Sequence, residues 1–386
     1  ANTPIKIFDT TLRDGLQSPN IHPIPLAGRV AMGEALLALG VDVIEAGFAI
    51  GSELDSQTIQ TLAQKKSDTT ICALARTLKA DIDAAGAALK EAQNPRIHTF
   101  ISTSPLHREK KLGMDKNQVL EQTTTGVRHA RSYTDDVQFS LEDYTRTEPD
   151  FAYQVIEAAI KAGATTINLP DTVGYCTPDE YAGMIQGVLT HVTNADKITL
   201  STHCHNDLGL AVANSLAAVQ AGAGQVECSI NGIGERAGNA AMEELVMALT
   251  VRQDVLPFAT NINTANFMTI SQLVQELTGL SVQKNKAIVG QNAFAHESGI
   301  HQHGINKDRR TYEILTPESV GQSSTQLTLG VTSGRSGLLE KLGQLGFDTQ
   351  KANSEEITSL YLDFMAKAAE IRMTDDDIST LAKQYF

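Results

Sequence analysis

THCHND, residues 202–207, places two histidines two positions apart at the end of a β-branched, apolar run, ITLSTHCH (198–205). In a strand successive side chains alternate faces, so His203 and His205 point one way and Thr202, Cys204 and Asn206 the other. A rise of about 3.3 Å per residue puts the two Cα atoms roughly 6.6 Å apart, a gap that a metal with bonds of about 2.0–2.1 Å to each imidazole closes. A strand of this kind has to sit in a scaffold that delivers further ligands to the same point.

Working outward, runs of the same character recur: IKIFDTT (5–11), DVIEAG (42–47), ICALA (71–75), RIHTFIS (96–102), DVQFSLE (136–142), TTINLPDT (165–172) and QVECSING (225–232). With 198–205 they make eight strands. Between them lie amphipathic stretches such as GRVAMGEALLALG, NQVLEQTTTGVRHA, DFAYQVIEAAIKAG and LAVANSLAAVQAGA, three of them ending near a glycine suited to a helix C-cap. This alternation predicts an α/β fold, a (β/α)₈ TIM barrel; an open doubly wound sheet is disfavoured because no GxGxxG follows the first strand. Beyond about residue 250 the pattern becomes mainly helical, with a Gly-, His- and Asn-rich section at 287–307. We therefore expect a barrel over 1–275 and a helical C-terminal region over 276–386.

At 386 residues and 41% hydrophobic the chain has ample material for a core, and no apolar run approaches a membrane span. The first residues show no basic segment followed by an apolar one, and the four cysteines have no CxxC spacing, so a cytoplasmic protein with reduced thiols is expected. A formal charge of −14 disfavours nucleic-acid binding. An anionic small molecule would need local cations, a metal or backbone donors.

In a barrel the chemistry lies where the strands end. Those ends carry Arg13 and Asp14, Glu45, Ser140 and Glu142, Asp171 and Thr172, His203 and His205, and Asn231. Two histidines and a carboxylate, for which Asp14 is the best candidate, form a divalent-metal site; nitrogen and oxygen donors suit Mg²⁺, Mn²⁺, Zn²⁺ or Co²⁺. NGIGERAGNA (231–240) adds glycines, Gly232 and Gly234 among them, that let backbone approach an anion, while Arg236 either meets that anion or pairs with a neighbouring carboxylate.

FDTTLRDGLQSP (8–19), GVDVIEAGF (40–48), RIHTFISTSPLH (96–107), FSLED (139–143), NLPDTVGY (168–175), HCHNDLGLAVANSLAAV (203–219), INGIGERAGNAAMEELVMAL (230–249) and VGQNAFAHESGIHQHGINK (289–307) resemble the 2-isopropylmalate synthase and homocitrate synthase family, more closely its first branch. The resemblance implies metal ligands Asp14, His203 and His205, with Asn231 nearby; Arg13 polarising a 2-oxo acid; Gln17, His98, Ser140 and Thr172 lining that acid's pocket; and Asn231, Gly232, Gly234 and Arg236 on the acetyl-CoA side. It implies Glu142, His301 and Tyr312 as acid–base groups, the last two reaching the barrel of a partner subunit in a homodimer. The implied reaction is a Claisen condensation of acetyl-CoA with 3-methyl-2-oxobutanoate followed by thioester hydrolysis. Citramalate, homocitrate and methylthioalkylmalate synthases, and an acyl-CoA lyase or aldolase, are the alternatives. Homocitrate formation needs a cation for a distal carboxylate, for which Arg76 is the one candidate.

Two departures stand out: Leu16 where family members usually have Glu, and GVTSGRS (330–336) where they have a basic, His-containing GKHSGRH. Typical members also continue into a leucine-binding regulatory domain, so we expect this chain to show no leucine feedback inhibition.

Overall fold

The computed structural model describes residues 1–322, 326–327, 329–330 and 333–386, and divides them into two compact units, Ala1–Val282 and Gln283–Phe386. Eight parallel strands close a barrel in the first unit: β1 (Lys6–Asp9), β2 (Val43–Phe48), β3 (Thr70–Arg76), β4 (Pro95–Ser102), β5 (Val137–Glu142), β6 (Thr166–Asp171), β7 (Thr199–Cys204) and β8 (Gln225–Cys228). All eight strands predicted from the sequence are present, in chain order around the ring.

The helices between them end where the sequence predicts. Leu26–Leu39, Pro149–Ala162 and Ala211–Ala221 stop at Gly40, Gly163 and Gly222, whose positive φ lets their N–H groups turn back onto the last carbonyls. Lys116–Arg131 begins with a capping box, the Asp115 carboxylate accepting from Gln118 N–H and the Gln118 side chain accepting from Asp115 N–H.

Strand alternation sorts the interior. In β5 the residues Val137, Phe139 and Leu141 are fully buried on the outer face, as a strand covered by helices requires, leaving Gln138, Ser140 and Glu142 on the inner one. The same period aligns Arg96, His98, Phe100 and Ser102 in β4, and register pairs His98 with Gln138 and Ser102 with Glu142. Deep in the barrel the Arg96 guanidinium donates to Gln138 and Gln225 at 3.1 and 2.8 Å. A register shift between Glu45 and Gly47 in β2 marks a bulge beside the catalytic end.

Asp9, at the end of β1, is fully buried and accepts from the Thr11 N–H and hydroxyl at 3.0 and 2.7 Å. Burial pushes its carboxyl up to about 7, Glu45 and Glu243 adding to the effect while the Thr11 bonds oppose it. The folded chain therefore holds this proton where an unfolded Asp has lost it, and stability falls as pH rises from about 4 to about 7, by roughly 1.4 kcal/mol per unit. Asp9→Asn is expected to lose that slope in urea unfolding at pH 5 and pH 8; an unchanged slope would assign it to other groups.

The second unit has helices at Gly299–Lys307, Arg335–Gln344, Ser354–Ala368 and Asp375–Ala382, the last three packed around Leu338, Leu342, Leu360, Phe364, Ile378 and Leu381. A two-residue parallel pairing joins Ala295–His296 to Gln326–Leu327. Within the departure at 330–336, Val331 and Thr332 lie outside the described residues. Among the described residues no helix is long and apolar enough to cross a membrane. All four cysteines are free and buried, and burial raises each thiol, which makes them poor nucleophiles.

Candidate active site

A cavity of about 520 Å³ opens at the C-terminal ends of the strands. Arg13, Asp14, Gln17, His98, Ser140, Glu142, Thr172, His203 and His205 all line it, so nine of the residues singled out from sequence meet at one place. Phe48, Ile50, Leu74, Phe100 and Pro170 supply an apolar wall.

At its floor His203 Nε2 and His205 Nε2 face each other at 2.8 Å, and Asp14 Oδ2 lies 3.7 and 3.8 Å from them. All three residues are buried. Asp14 Oδ2 and His205 Nδ1 have no hydrogen-bond partner among the described residues. Bare donor atoms converging at such spacings fit a divalent cation, which bonds of about 2.0–2.2 Å would place among them. Burial pulls the His203 pKa down, but Glu227 and Asp14 outweigh it and raise the pKa; burial and His203 together push His205 down to about 3. Burial disfavours the Asp14 anion, yet Arg13 and the two imidazoles hold its pKa below the usual carboxylate range.

Sequence reasoning placed Asn231 beside this triad, and the structure corrects it. Asn231 turns its side chain to Ser271, accepting from the hydroxyl at 2.6 Å and donating to the carbonyl at 3.2 Å. The loop then runs through positive φ at Asn231, Gly232, Arg236 and Gly238 and doubles back, pairing Asn239 with His205. At Gly238 a Cβ would sit 2.0 Å from Gly232 O, so only glycine permits this return. Asn239 is buried with its Nδ2 donating to Ile233 O, and its Oδ1 has no partner. It is the amide ligand candidate that counting from the strand end missed.

The same loop corrects the expectation of free backbone donors at Gly232, whose N–H donates to Ser229 O at 3.2 Å. At Gly234 a Cβ would lie 2.3 Å from Asn239 Nδ2 and 3.3 Å from Asp14 Oδ2, so glycine there lets the loop pass against the triad. Arg236 takes the second of its two anticipated roles: it pairs with Asp207, the last residue of THCHND, at 2.8 and 3.0 Å, and donates to Thr172 O.

Glutamates brace the site from inside the barrel. Glu227 on β8, absent from the sequence-based set although QVEC alternates it inward, approaches His203 Nδ1 at 3.2 Å. Glu45 accepts from Arg13 Nε at 2.6 Å and from Thr10 Oγ1 at 3.0 Å, and its other oxygen meets His98 Nδ1 at 2.6 Å. His98 Nε2 lies 2.5 Å from Ser140 Oγ, which also accepts from Asn168 Nδ2. Burial opposes the Glu45 charge, but Arg13 and His98 win and hold its pKa well below the ordinary range. Arg76 lines the cavity with its guanidinium engaged by Asp81 at 2.7 and 3.2 Å. Leu16 is half-buried beside the lining residue Gln17 and does not itself line the cavity. In the second unit the His301 and Tyr312 rings lie 4.3 Å apart, and both residues are exposed.

The HMGL-like family profile matches residues 4–274, and that of the homocitrate synthase post-HMGL domain-like family matches 288–374. A solved HMG-CoA lyase from Brucella melitensis superposes with a TM-score of 0.62 at 20% identity, covering 72% of this chain and all of that one, a likeness of fold. The barrel and its site thus define an HMGL-like enzyme, a class that depends on divalent metal. A 2-isopropylmalate synthase of Rhodopirellula baltica is 53% identical over 384 residues, 100% of this chain and 72% of the relative; one from Ruminiclostridium cellulolyticum is 50% identical over 98% and 74%. The chain belongs to the 2-isopropylmalate synthase family of acyltransferases.

Proposed function

We propose that this site condenses acetyl-CoA with 3-methyl-2-oxobutanoate and hydrolyses the thioester, giving 2-isopropylmalate and CoA in leucine biosynthesis. The observation that carries the reading is one cavity with a buried Asp14, His203 and His205 cluster and Arg13 on its polar side and an apolar wall of Phe48, Ile50, Leu74, Phe100 and Pro170. A 2-oxo acid with a branched alkyl tail matches that division. Arg76, the cation considered for a distal carboxylate, is engaged by Asp81, which favours a monocarboxylate over 2-oxoglutarate.

Asp14, His203, His205 and the Asn239 amide oxygen would hold the metal, for which Mg²⁺ or Mn²⁺ is the first choice and Zn²⁺ or Co²⁺ the second. When bound, the ion supplies Lewis-acid polarisation of the keto group. Arg13, anchored through Nε by Glu45, presents the rest of its guanidinium to the oxygen on which negative charge develops. His98, Ser140 and Thr172 orient the acid, with Gln17 beside them. Glu142 takes a proton from the acetyl methyl, and the carbanion so formed attacks the keto carbon. Water then cleaves the thioester.

Acetyl-CoA is assigned to the side bounded by the 231–240 loop, as the family resemblance implies, with Arg236 held in that loop by Asp207. His301 and Tyr312 are assigned acid–base work at the barrel of a partner subunit in a homodimer, as the family resemblance implies.

The test follows free CoA with a thiol reagent across a panel of 2-oxo acids, with Mg²⁺ or Mn²⁺ and after chelation. Metal-dependent release fastest with 3-methyl-2-oxobutanoate is expected. A preference for pyruvate or 2-oxoglutarate would overturn the substrate assignment, and no release with any acid would overturn the condensation.

A further inference from the structure

We infer that Lys111 is a positioning residue for Glu142, clamping the carboxylate assigned above to proton removal; the inference rests on that assignment. Lys111 Nζ lies 2.9 Å from Glu142 Oε1 and 3.1 Å from Oε2, so it straddles both oxygens. Ser102, opposite Glu142 in the β4–β5 register, donates its hydroxyl to Oε2 at 2.7 Å and accepts from Lys111 Nζ at 3.3 Å. A glutamate at a strand end has three side-chain torsions free to swing. A cation on both oxygens and a hydroxyl on one fix its plane and its position against the cavity wall, where Glu142 and Lys111 both stand.

The backbone that carries Lys111 is built for this reach. It lies on a five-residue π-helical segment, Arg108–Leu112, a conformation seldom adopted and concentrated at functional sites. Its first residue is firmly held: Arg108 is buried, donates to Thr103 O at 2.5 Å and to both Glu148 oxygens at 2.8 Å, and lies over the Phe151 ring. Gly113, at φ +60°, closes the segment. Stability does not account for the arrangement, because the Lys111 side chain is 51% exposed and ion pairs at such exposure contribute little to folding. Orientation of the carboxylate is what the pair provides.

The experiment measures kcat and KM for both substrates with Lys111→Met, Lys111→Arg, Glu142→Gln and the double variant Lys111→Met/Glu142→Gln, using the whole chain with Mn²⁺. Thermal melts and Mn²⁺ titrations check that each variant is folded and loaded, and Lys110→Met serves as a neighbouring charge control. Lys111→Met is expected to lower kcat about tenfold, a fraction of the range seen for general acid–base groups, with both KM values within about twofold. Lys111→Arg should restore most of it, and the double variant should be no slower than Glu142→Gln alone. A raised KM for acetyl-CoA at unchanged kcat would make Lys111 a CoA contact and overturn the inference, as would additive losses in the double variant. Full kcat in Glu142→Gln would instead overturn the assignment of Glu142, and the clamp with it.

Discussion

An Asp14→Asn variant is expected to lose at least about 10³-fold in kcat/KM for CoA release, with Mn²⁺ affinity falling in parallel in a calorimetric titration. The substitution keeps the shape of the side chain and removes its charge. In this structure Asp14 Oδ2 is buried without a hydrogen-bond partner, 3.7 and 3.8 Å from two imidazole nitrogens, so that oxygen stands open to a cation. What the amide cannot supply is negative charge to a cation whose remaining candidate ligands, His203, His205 and Asn239, are neutral donors. The metal-free variant should melt somewhat below the parent, because Arg13 and the two imidazoles hold the Asp14 pKa low and so favour the anion in the fold, while the rise in Tm that Mn²⁺ gives the parent should shrink. Glu227→Gln, acting through the 3.2 Å contact to His203 Nδ1, should weaken Mn²⁺ binding by the smaller factor of about 10–100. Parent-like Mn²⁺ affinity in Asp14→Asn would remove Asp14 from the ligand set.

How much of this was legible beforehand follows from what strand periodicity does and does not encode. The eight strands and the convergence of His203 with Asp14 were readable because alternation is local and the catalytic end of a barrel is where its strands finish. Asn231 was misplaced because strand-end counting treats a loop as if it continued outward. Here the chain reverses through four positive-φ residues and returns Asn239, eight positions on, to the metal side. Asp171 shows the converse: a polar strand-end residue that spends its carboxylate on Thr145 and on the Tyr175 and Cys176 N–H groups, shaping a turn. Lys111 had no sequence signal, because its reach to Glu142 depends on a π-helical backbone that no periodicity announces. Glu227 did have one, its inward place in QVEC beside His203 on the adjacent strand.

Arg13→Lys is expected to lower kcat about 10²–10³-fold while leaving Mn²⁺ affinity within a few-fold of the parent, and the choice of lysine makes the result interpretable. Glu45 is wholly buried and draws on Arg13, His98 and Thr10 at once. Arg13→Met would leave that carboxylate short of its main counter-charge, at a cost of about 3–5 kcal/mol to folding, and a dead enzyme would then say nothing about catalysis. Lysine retains the positive charge beside Glu45. It does not retain the fork, in which Nε donates to Glu45 while the Nη groups remain for a substrate oxygen; one ammonium serves one of these at a time. If Glu45 keeps the ammonium, the fold and the His98–Ser140 chain survive and only the donor aimed at the developing oxyanion is lost. The Tm should then stay near that of the parent as kcat collapses. Parent-like kcat in Arg13→Lys would reduce Arg13 to a buried counter-ion for Glu45 and leave the stabilisation of the keto oxygen to the metal site alone.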